Sequence, residues 1–438
     1  MSVADQSMPA AGAAAIDPAR KGSMIKAVVG GSIGNLIEWY DWYVYTSFSI
    51  YFASVFFPAG DQTTRFLYAA VILSIGFIVR PLGSWVMGIY ADRHGRRSAL
   101  VLAMVLMGGS SLIIAVIPSY ATIGLAAPVL LAIARIAQGL SVGGEYAAVA
   151  TYLSEIAGKD KRGFYTSFQY VTLIAGQLLA LLVLVALQAF LTTEEMTAWG
   201  WRIPFAIGAV GALVAFWIQS SLEETESFKN RKKSADTWQL VKSHPKEFMF
   251  VLGMTMGGAL GFYVFSNYMQ KFLVNTTGFD ANTASLVMAM AMIVFMVAQP
   301  VMGWVSDKIG RKPMFVFYGV AATLMTFPVM TYLESTTSAM GAFLVISGAL
   351  LVQSTYTSIS GLYKAELFPT EIRALGVGLP YALGVAMVGG TAEAVALKLK
   401  QMGYETSFYW YVTFFMAIVL VTSLIMKDTK KHSRIKEY

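Results

Sequence analysis

The chain has 438 residues, of which 56% are hydrophobic and only 13% are charged, whereas about a quarter of the residues in an ordinary soluble domain are charged. It has no Cys, which excludes disulfides, thiolate metal sites and Cys nucleophiles. The net charge of +7 could suit a nucleic-acid partner, but the positions of the basic residues along the chain favour a membrane protein.

Apolar segments recur along the whole chain, and each is long enough to cross a hydrocarbon core of roughly 30 Å as a helix. We therefore predict an all-α membrane protein with twelve transmembrane helices in two six-helix halves. The predicted spans are 26–57, 66–90, 98–118, 121–157, 163–191, 202–220, 248–274, 281–306, 312–334, 338–366, 371–399 and 406–427.

The charges between the spans predict the topology. Of the 32 Lys and Arg, 25 fall on the side that also holds both termini and the central linker, so we expect this side to be cytoplasmic. No signal-peptide pattern precedes the first span. The predicted parts are an N-terminal tail 1–25, a first half 26–220, a linker 221–247, a second half 248–427 and a C-terminal tail 428–438.

Two stretches of the first half recur in the second. The loop 88–97, with the pattern Gly-x-x-x-Asp-Arg-x-Gly-Arg-Arg, recurs at 303–312 with matched positions 215 residues apart. A second set, Tyr152, Glu155 and Arg162, recurs as Tyr363, Glu366 and Arg373 at an offset of 211. These correspondences predict duplicated halves that rock against each other. We predict that charged groups of the repeats form a cytoplasmic gate: Asp92, Arg96, Glu155, Arg162, Asp307, Arg311, Glu366 and Arg373.

Ionisable residues within spans are costly and mark functional sites by default. The first span has Glu38, Asp41 and Tyr45 on one helical face, and the fourth has a similar stripe of Arg135, Gln138 and Glu145. We predict that Asp41 carries a coupling proton and that Arg135 is its switchable partner, with Glu38 and Glu145 as weaker candidates. The alternative is a static ion pair that only holds two helices together.

Two further cations, Arg80 and Lys271, lie in spans of opposite halves and could each bind one carboxylate of a dianion. The alternatives are an interior structural pair for Arg80 and a side chain that reaches the outer interface for Lys271. Lys364 is expected to join the cytoplasmic gate. The predicted substrate-binding residues are Arg80, Lys271, Tyr45, Gln169, Tyr263, Asn267 and Tyr356.

The doubled loop resembles the signature of the major facilitator superfamily, and the stretches 34–45, 80–83, 134–146 and 200–205 are similar to its metabolite and proton symporter branch. This resemblance implies proton-coupled uptake by alternating access, and we expect 2-oxoglutarate or a closely related dicarboxylate as the substrate. Citrate, shikimate, proline and betaine are alternatives within transport. A membrane sensor that does not transport is an alternative of another class.

The sequence contains no pattern typical of other classes of function. The three His, at His94, His244 and His432, fall in predicted loops and offer no metal cluster. No nucleotide-binding or hydrolase motif is present, so we expect neither an enzyme nor a cofactor nor a nucleic-acid partner. The expected partners are the substrate, protons and the lipid bilayer, and we expect a monomer in the cell inner membrane.

Overall fold

A computed structural model describes residues 18–94, 96–142, 145–221, 242–370 and 372–435. The side chains of Asp92, Arg96 and Glu145, together with most of the predicted linker and N-terminal tail, lie outside the described residues. The described part of the chain is helical and contains no strand. Ten of its helices are long and apolar enough to cross a membrane.

The first half consists of six helical segments joined by short connections. These are α1 (Pro18–Phe56), α2 (Gln62–His94), α3 (Arg96–Val116), α4 (Ala126–Ser141 continued by Glu145–Ile156), α5 (Arg162–Phe190) and α6 (Ile203–Ser220). The first helix begins eight residues before the predicted span at 26. The other helices follow the predicted spans to within a few residues.

The second half repeats this arrangement. Its segments are α7 (Pro245–Thr277), α8 (Ala281–Ile309), α9 (Arg311–Ser335), α10 (Ala339–Leu367), α11 (Arg373–Gln401) and α12 (Glu405–Ile425). Residues 426–435 follow α12 and lie against the ends of α8 and α10, where Thr429 donates a hydrogen bond to Glu366.

Three helices of the second half are irregular. The helix α7 contains π-helical turns at Tyr263–Tyr268 and Leu273–Thr277, and α11 contains one at Val385–Gly389. The helix α10 is interrupted between Thr357 and Ser360. Such breaks recur at functional sites, because they redirect side chains and backbone groups toward a cavity.

The two halves touch at both ends of the bundle. The end that carries Gly163 and Gly303 is called the loop face, and there α5 and α8 pack so closely that a Cβ on either glycine would lie 2.4 Å from the carbonyl oxygen of the other. At the opposite face, Asn275 of α7 donates to Thr63 of α2 at 3.2 Å, and Gln401 of α11 donates to Thr64 at 2.9 Å. The contacts leave room for a site between the halves.

Candidate substrate and proton site

A cavity lies between the two halves. The empty space within it, including the part open to solvent, is about 450 Å³. Helices α1, α2 and α4 of the first half and α11 of the second half form its walls. Its polar lining consists of Asn35, Glu38, Arg80, Ser84, Tyr146 and Tyr381.

Arg80 is the cation of this lining. Its guanidinium carbon lies 4.1 Å from the ring centre of Trp42 and 4.3 Å from that of Phe77. Atoms Nε and Nη2 are buried and donate to no group of the described residues. A buried donor without an acceptor is costly, so the guanidinium is suited to bind an anion that enters the cavity.

Asp41 lies inside the first half and is fully buried. Its carboxylate accepts a 2.5 Å hydrogen bond from Ser111 Oγ of α3 and another from Gln138 Nε2 of α4. Gln138 Oε1 accepts from Arg135 Nη1 at 2.5 Å, so Arg135 reaches Asp41 through the Gln138 amide. Gly208 of α6 makes room for this carboxylate, because a Cβ there would lie 2.8 Å from Asp41 Oδ1.

The predicted stripe on α1 faces two environments. Asp41 points into the first half, whereas Glu38, three residues before it, lines the cavity beside Arg80. The structure thus brings Asp41 and Arg135 close together, with the Gln138 amide between them. Their role in carrying a proton stays a prediction.

Trp42 links these two groups. Its ring centre lies 4.1 Å from the guanidinium carbon of Arg80 and 4.0 Å from that of Arg135. The indole rests directly on the α2 backbone, because Gly76 has no Cβ and one there would lie 2.8 Å from the ring. A single aromatic ring therefore contacts the cation of the cavity and the cation of the buried network.

Lys271 forms a buried ion pair with Glu393 of α11, in the same half. The two side chains are 1% and 6% exposed, so Lys271 does not reach an outer interface. Glu393 neutralises the ammonium group. Binding of a substrate carboxylate by Lys271 stays a prediction, and it would require the ion pair to open.

The described hydrogen bonds of the other predicted substrate residues stay within their own halves, whereas the Tyr263 ring packs against the first half. The Tyr45 hydroxyl donates to the Ala69 carbonyl at 2.9 Å, and Gln169 Nε2 donates to the Tyr146 carbonyl at 3.1 Å. Tyr356 packs against aromatic neighbours of the second half. Asn267 accepts from Ser266 at 3.1 Å. Tyr263 lies closer to the cavity, since its ring packs 5.0 Å from Phe77 beside Arg80.

Lys364 lies behind the cavity wall in α10. Its Nζ donates to the Tyr146 hydroxyl at 2.9 Å and to Ser360 Oγ at 3.0 Å. The rings of Tyr146 and Tyr381 stack with their centres 3.7 Å apart and separate the ammonium from the cavity. The predicted contacts of Lys364 with Glu366 and Arg373 are not among its described interactions.

Asp307 joins the halves at the loop face. Its carboxylate accepts from the backbone N–H groups of Gly163 at 2.7 Å and Phe164 at 2.9 Å, at the first turn of α5. Arg311 holds the same carboxylate at 2.9 Å from its own half. An anion at a helix N-terminus satisfies N–H groups that have no partner within the helix.

An ion pair between Glu155 of α4 and Arg373 of α11 also joins the halves at this face. Arg373 is buried and donates to three backbone carbonyls, whereas Glu155 is 40% exposed. Arg311 and Glu366 pair at 3.6 Å within the second half, and Arg162 donates to a carbonyl of its own half. Among the described gating residues, Asp307, Glu155 and Arg373 therefore make the cross-half contacts.

The model of the major facilitator superfamily matches residues 33–391 and, in a second match, residues 252–437. The chain belongs to the major facilitator superfamily. As a member of this superfamily it is a multi-pass membrane transporter, and its curated relatives are transporters and not enzymes.

Two relatives illustrate the range of this branch of the superfamily. The Alpha-ketoglutarate permease of Escherichia coli (strain K12) is 50% identical over 412 residues, which cover 94% of this chain and 95% of the permease. The Citrate-proton symporter of Salmonella typhi is 31% identical over 390 residues, which cover 88% and 90%.

Solved structures of the superfamily have the same fold. A D-xylose-proton symporter matches with a TM-score of 0.73 at 18% identity, covering 94% of this chain and 99% of the symporter. The xylose transporter of E. coli in a partially occluded inward-open conformation matches with a TM-score of 0.74 at 19% identity, covering 93% and 99%. The predicted twelve-helix fold in two halves is confirmed.

Two contact residues were not predicted from the sequence: Glu393, the partner of Lys271, and Trp42, the neighbour of Arg80 and Arg135. Glu393 is an acidic residue within the eleventh predicted span, and a count of every ionisable residue within the spans would have found it. Trp42 carries no such signal, because nothing in its own helix indicates that two arginines from α2 and α4 contact one ring.

Proposed function

We propose that this chain is a symporter that carries 2-oxoglutarate, or a closely related dicarboxylate, into the cell together with a proton. The observation that carries the proposal is the 50% identity to the Alpha-ketoglutarate permease of E. coli, which extends over 94% of the chain and includes both halves. Two guanidinium nitrogens of Arg80, Nε and Nη2, have no partner among the described residues and lie at a cavity between the halves, which supports an anionic substrate.

The substrate carboxylate binds Arg80. The planar guanidinium can donate two parallel hydrogen bonds to a carboxylate, and the aromatic rings around it exclude competing water. Glu38 shares the cavity and places a negative charge near the same site. The cavity therefore favours an anion only where that anion contacts Arg80 directly.

The proton binds Asp41. Two hydrogen-bond donors and the nearby Arg135 stabilise the ionised carboxylate in this conformation. A conformational change that moves Arg135 and Gln138 away removes this stabilisation from a fully buried charge, and the carboxylate then takes up a proton. The reverse change releases the proton on the other side of the membrane.

The two halves rock about the site and expose it to one side at a time. The contacts of Asp307, Glu155 and Arg373 hold the loop face closed and break when that face opens. We assign the loop face and both termini to the cytoplasm, in accordance with the distribution of Lys and Arg. The chain acts as a monomer in the cell inner membrane.

A panel of radiolabelled substrates in proteoliposomes tests this function. The purified protein is supplied with 2-oxoglutarate, citrate, shikimate, proline or betaine, with and without an imposed proton gradient. We expect 2-oxoglutarate to accumulate against its concentration gradient, and a protonophore to abolish the accumulation. Accumulation of another compound of the panel without any uptake of 2-oxoglutarate would contradict the proposal.

Citrate is the second candidate substrate, because a relative named as a citrate-proton symporter aligns over 88% of the chain. Citrate carries one more carboxylate than 2-oxoglutarate and needs further cationic groups. Competition between the two acids for uptake distinguishes the candidates, since the true substrate competes at the lower concentration.

A further inference from the structure

A dicarboxylate bound to Arg80 leaves its second carboxylate in need of a partner. The second half holds two fully buried lysines, Lys271 on α7 and Lys364 on α10. Lys271 is already neutralised by Glu393. Among the described side chains, no carboxylate lies within ion-pair distance of Lys364.

The surroundings of Lys364 stabilise a cation without neutralising it. The ammonium nitrogen lies 4.4 Å from the ring centre of Tyr381 and 4.9 Å from that of Tyr146, so two π faces attract the charge. Its hydrogen bonds go to the hydroxyl groups of Tyr146 and Ser360. Because its described neighbours are all neutral, this buried cation leaves a local excess of positive charge, which an anionic ligand can compensate.

The position of Lys364 relates it to the cavity. Tyr146 of α4 and Tyr381 of α11 line the cavity on one side and contact Lys364 on the other. The stacked pair joins the two halves, so any relative movement of the halves separates the rings. Rotation of the Tyr146 side chain then opens the ammonium to the cavity that holds Arg80.

We propose that Lys364 binds the second carboxylate of the substrate, opposite Arg80. This inference rests on the proposed function and assigns the second anchor to Lys364 instead of Lys271. Arg80 belongs to the first half and Lys364 to the second, so one dianion bound to both neutralises two buried charges and draws the halves together. A monocarboxylate satisfies only one of them.

The binding of 2-oxoglutarate to the purified full-length protein, measured by calorimetry, tests the assignment. We expect Lys364→Gln to weaken this binding by roughly 10- to 150-fold, the equivalent of one lost charge-assisted contact, and Lys364→Arg to restore most of it. The double variant Lys271→Gln, Glu393→Gln removes the other lysine without leaving a buried charge, and we expect it to bind 2-oxoglutarate like the wild type.

Binding of 2-oxobutyrate separates a contact with the substrate from a structural role of Lys364. This monocarboxylate shares the keto acid end of 2-oxoglutarate but lacks the second carboxylate. We expect Lys364→Gln to leave its affinity unchanged, so that the preference for the dicarboxylate disappears. A general disturbance of the site would weaken the binding of both ligands.

A matched pair of variants at Ser360 tests the same contact without altering Lys364. Ser360 Oγ lies 3.0 Å from the ammonium, so Ser360→Asp supplies an internal carboxylate that competes with the substrate. We expect Ser360→Asp to weaken 2-oxoglutarate binding as strongly as Lys364→Gln, and Ser360→Asn to have little effect. Thermal unfolding of each variant shows whether it is folded. If Lys364→Gln does not fold, the two Ser360 variants still test the contact between Lys364 and the substrate.

Each outcome decides the assignment. The assignment would be overturned if the affinity of Lys364→Gln for 2-oxoglutarate stayed within threefold of the wild type. It would also be overturned if the Lys271 and Glu393 double variant lost as much affinity as Lys364→Gln. If the wild-type protein binds citrate and not 2-oxoglutarate, the proposed substrate is wrong, and the same variants decide the role of Lys364 with citrate. A wild-type protein that binds only zwitterions such as betaine overturns the function and the anchor together.

Discussion

Two arginines share one indole ring at the centre of the first half. The guanidinium carbons of Arg80 and Arg135 lie 4.1 and 4.0 Å from the ring centre of Trp42, so both cations contact the same group. Their like charges repel each other, and an anion bound to Arg80 reduces the repulsion. Binding in the cavity is therefore linked to the network that holds Asp41, although Asp41 itself does not line the cavity.

Replacing Trp42 by Leu should weaken this link. We expect accumulation of substrate driven by a proton gradient to fall by roughly tenfold, while exchange of labelled for unlabelled substrate falls by less than about threefold. Uptake and exchange in proteoliposomes measure the two quantities. Trp39→Leu is the matched control. Trp39 lies on α1, as Trp42 does, and its ring centre lies 5.3 Å from the guanidinium carbon of Arg80. Equal effects of the two variants would argue against a specific link through Trp42.

Asp41→Asn should uncouple the transport of substrate from the transport of protons. The amide cannot ionise and is close in size to the carboxylate, so we expect exchange of substrate across the membrane to continue and proton-driven accumulation to stop. Both are measured in proteoliposomes under equal and unequal pH. Accumulation that persists unchanged would show that another group, such as Glu38, carries the proton.

The helices themselves were largely predictable from the sequence, because an apolar run of membrane length is a local property. A stripe within one helix, such as Arg135 and Gln138 on α4, indicated which face of that helix is polar, but not the residue of another helix that this face contacts. The partner of Lys271 is a glutamate 122 residues later, on a helix that α7 meets only in the folded protein. The π-helical turns of α7 and α11 have no local pattern either, since packing against neighbouring helices determines them.

The contact between helices α5 and α8 depends on the absence of side chains at Gly163 and Gly303. At the loop face, a Cβ on Gly303 would lie 2.4 Å from the Gly163 carbonyl oxygen and 2.9 Å from Ser167 Cβ. Both neighbours belong to the body of α5, so neither can rotate away. Close contact of α5 and α8 at this face therefore requires both glycines.

Gly303→Ala should hold the loop face open. The chain has no native Cys, so Ala382→Cys places one reactive group in the cavity lining. We expect a membrane-impermeant maleimide applied from the cytoplasmic side to label this Cys several-fold faster when Gly303 is Ala. Gly158→Ala is the control, since a Cβ there meets no atom within 4 Å. Equal labelling rates in the two backgrounds would show that the helices accommodate the added methyl.

At the scale of the whole molecule, the balance between the two openings depends on the contacts that each face makes between halves. The loop face has a buried carboxylate at the start of α5 and a partly exposed ion pair between α4 and α11. A hydrogen bond to a charged group contributes about 1.5–3 kcal/mol when buried, whereas an exposed ion pair contributes about 0–1 kcal/mol. The buried contact of Asp307 should therefore dominate the closed state of this face.

Comparison of Asp307→Ala with Glu155→Gln tests this ranking. Asp307→Ala removes two bonds to α5 and leaves Arg311 without its nearest carboxylate, so we expect the ratio of open to closed loop faces to rise by roughly tenfold or more. Glu155→Gln removes one ion pair whose acidic partner is 40% exposed, and we expect a rise below about fivefold. Spin labels on Cys introduced at Lys161 and Lys308, which are exposed on opposite halves, report the separation of the halves. If Glu155→Gln shifts the distances more than Asp307→Ala does, the ion pair and not the helix cap holds the loop face closed.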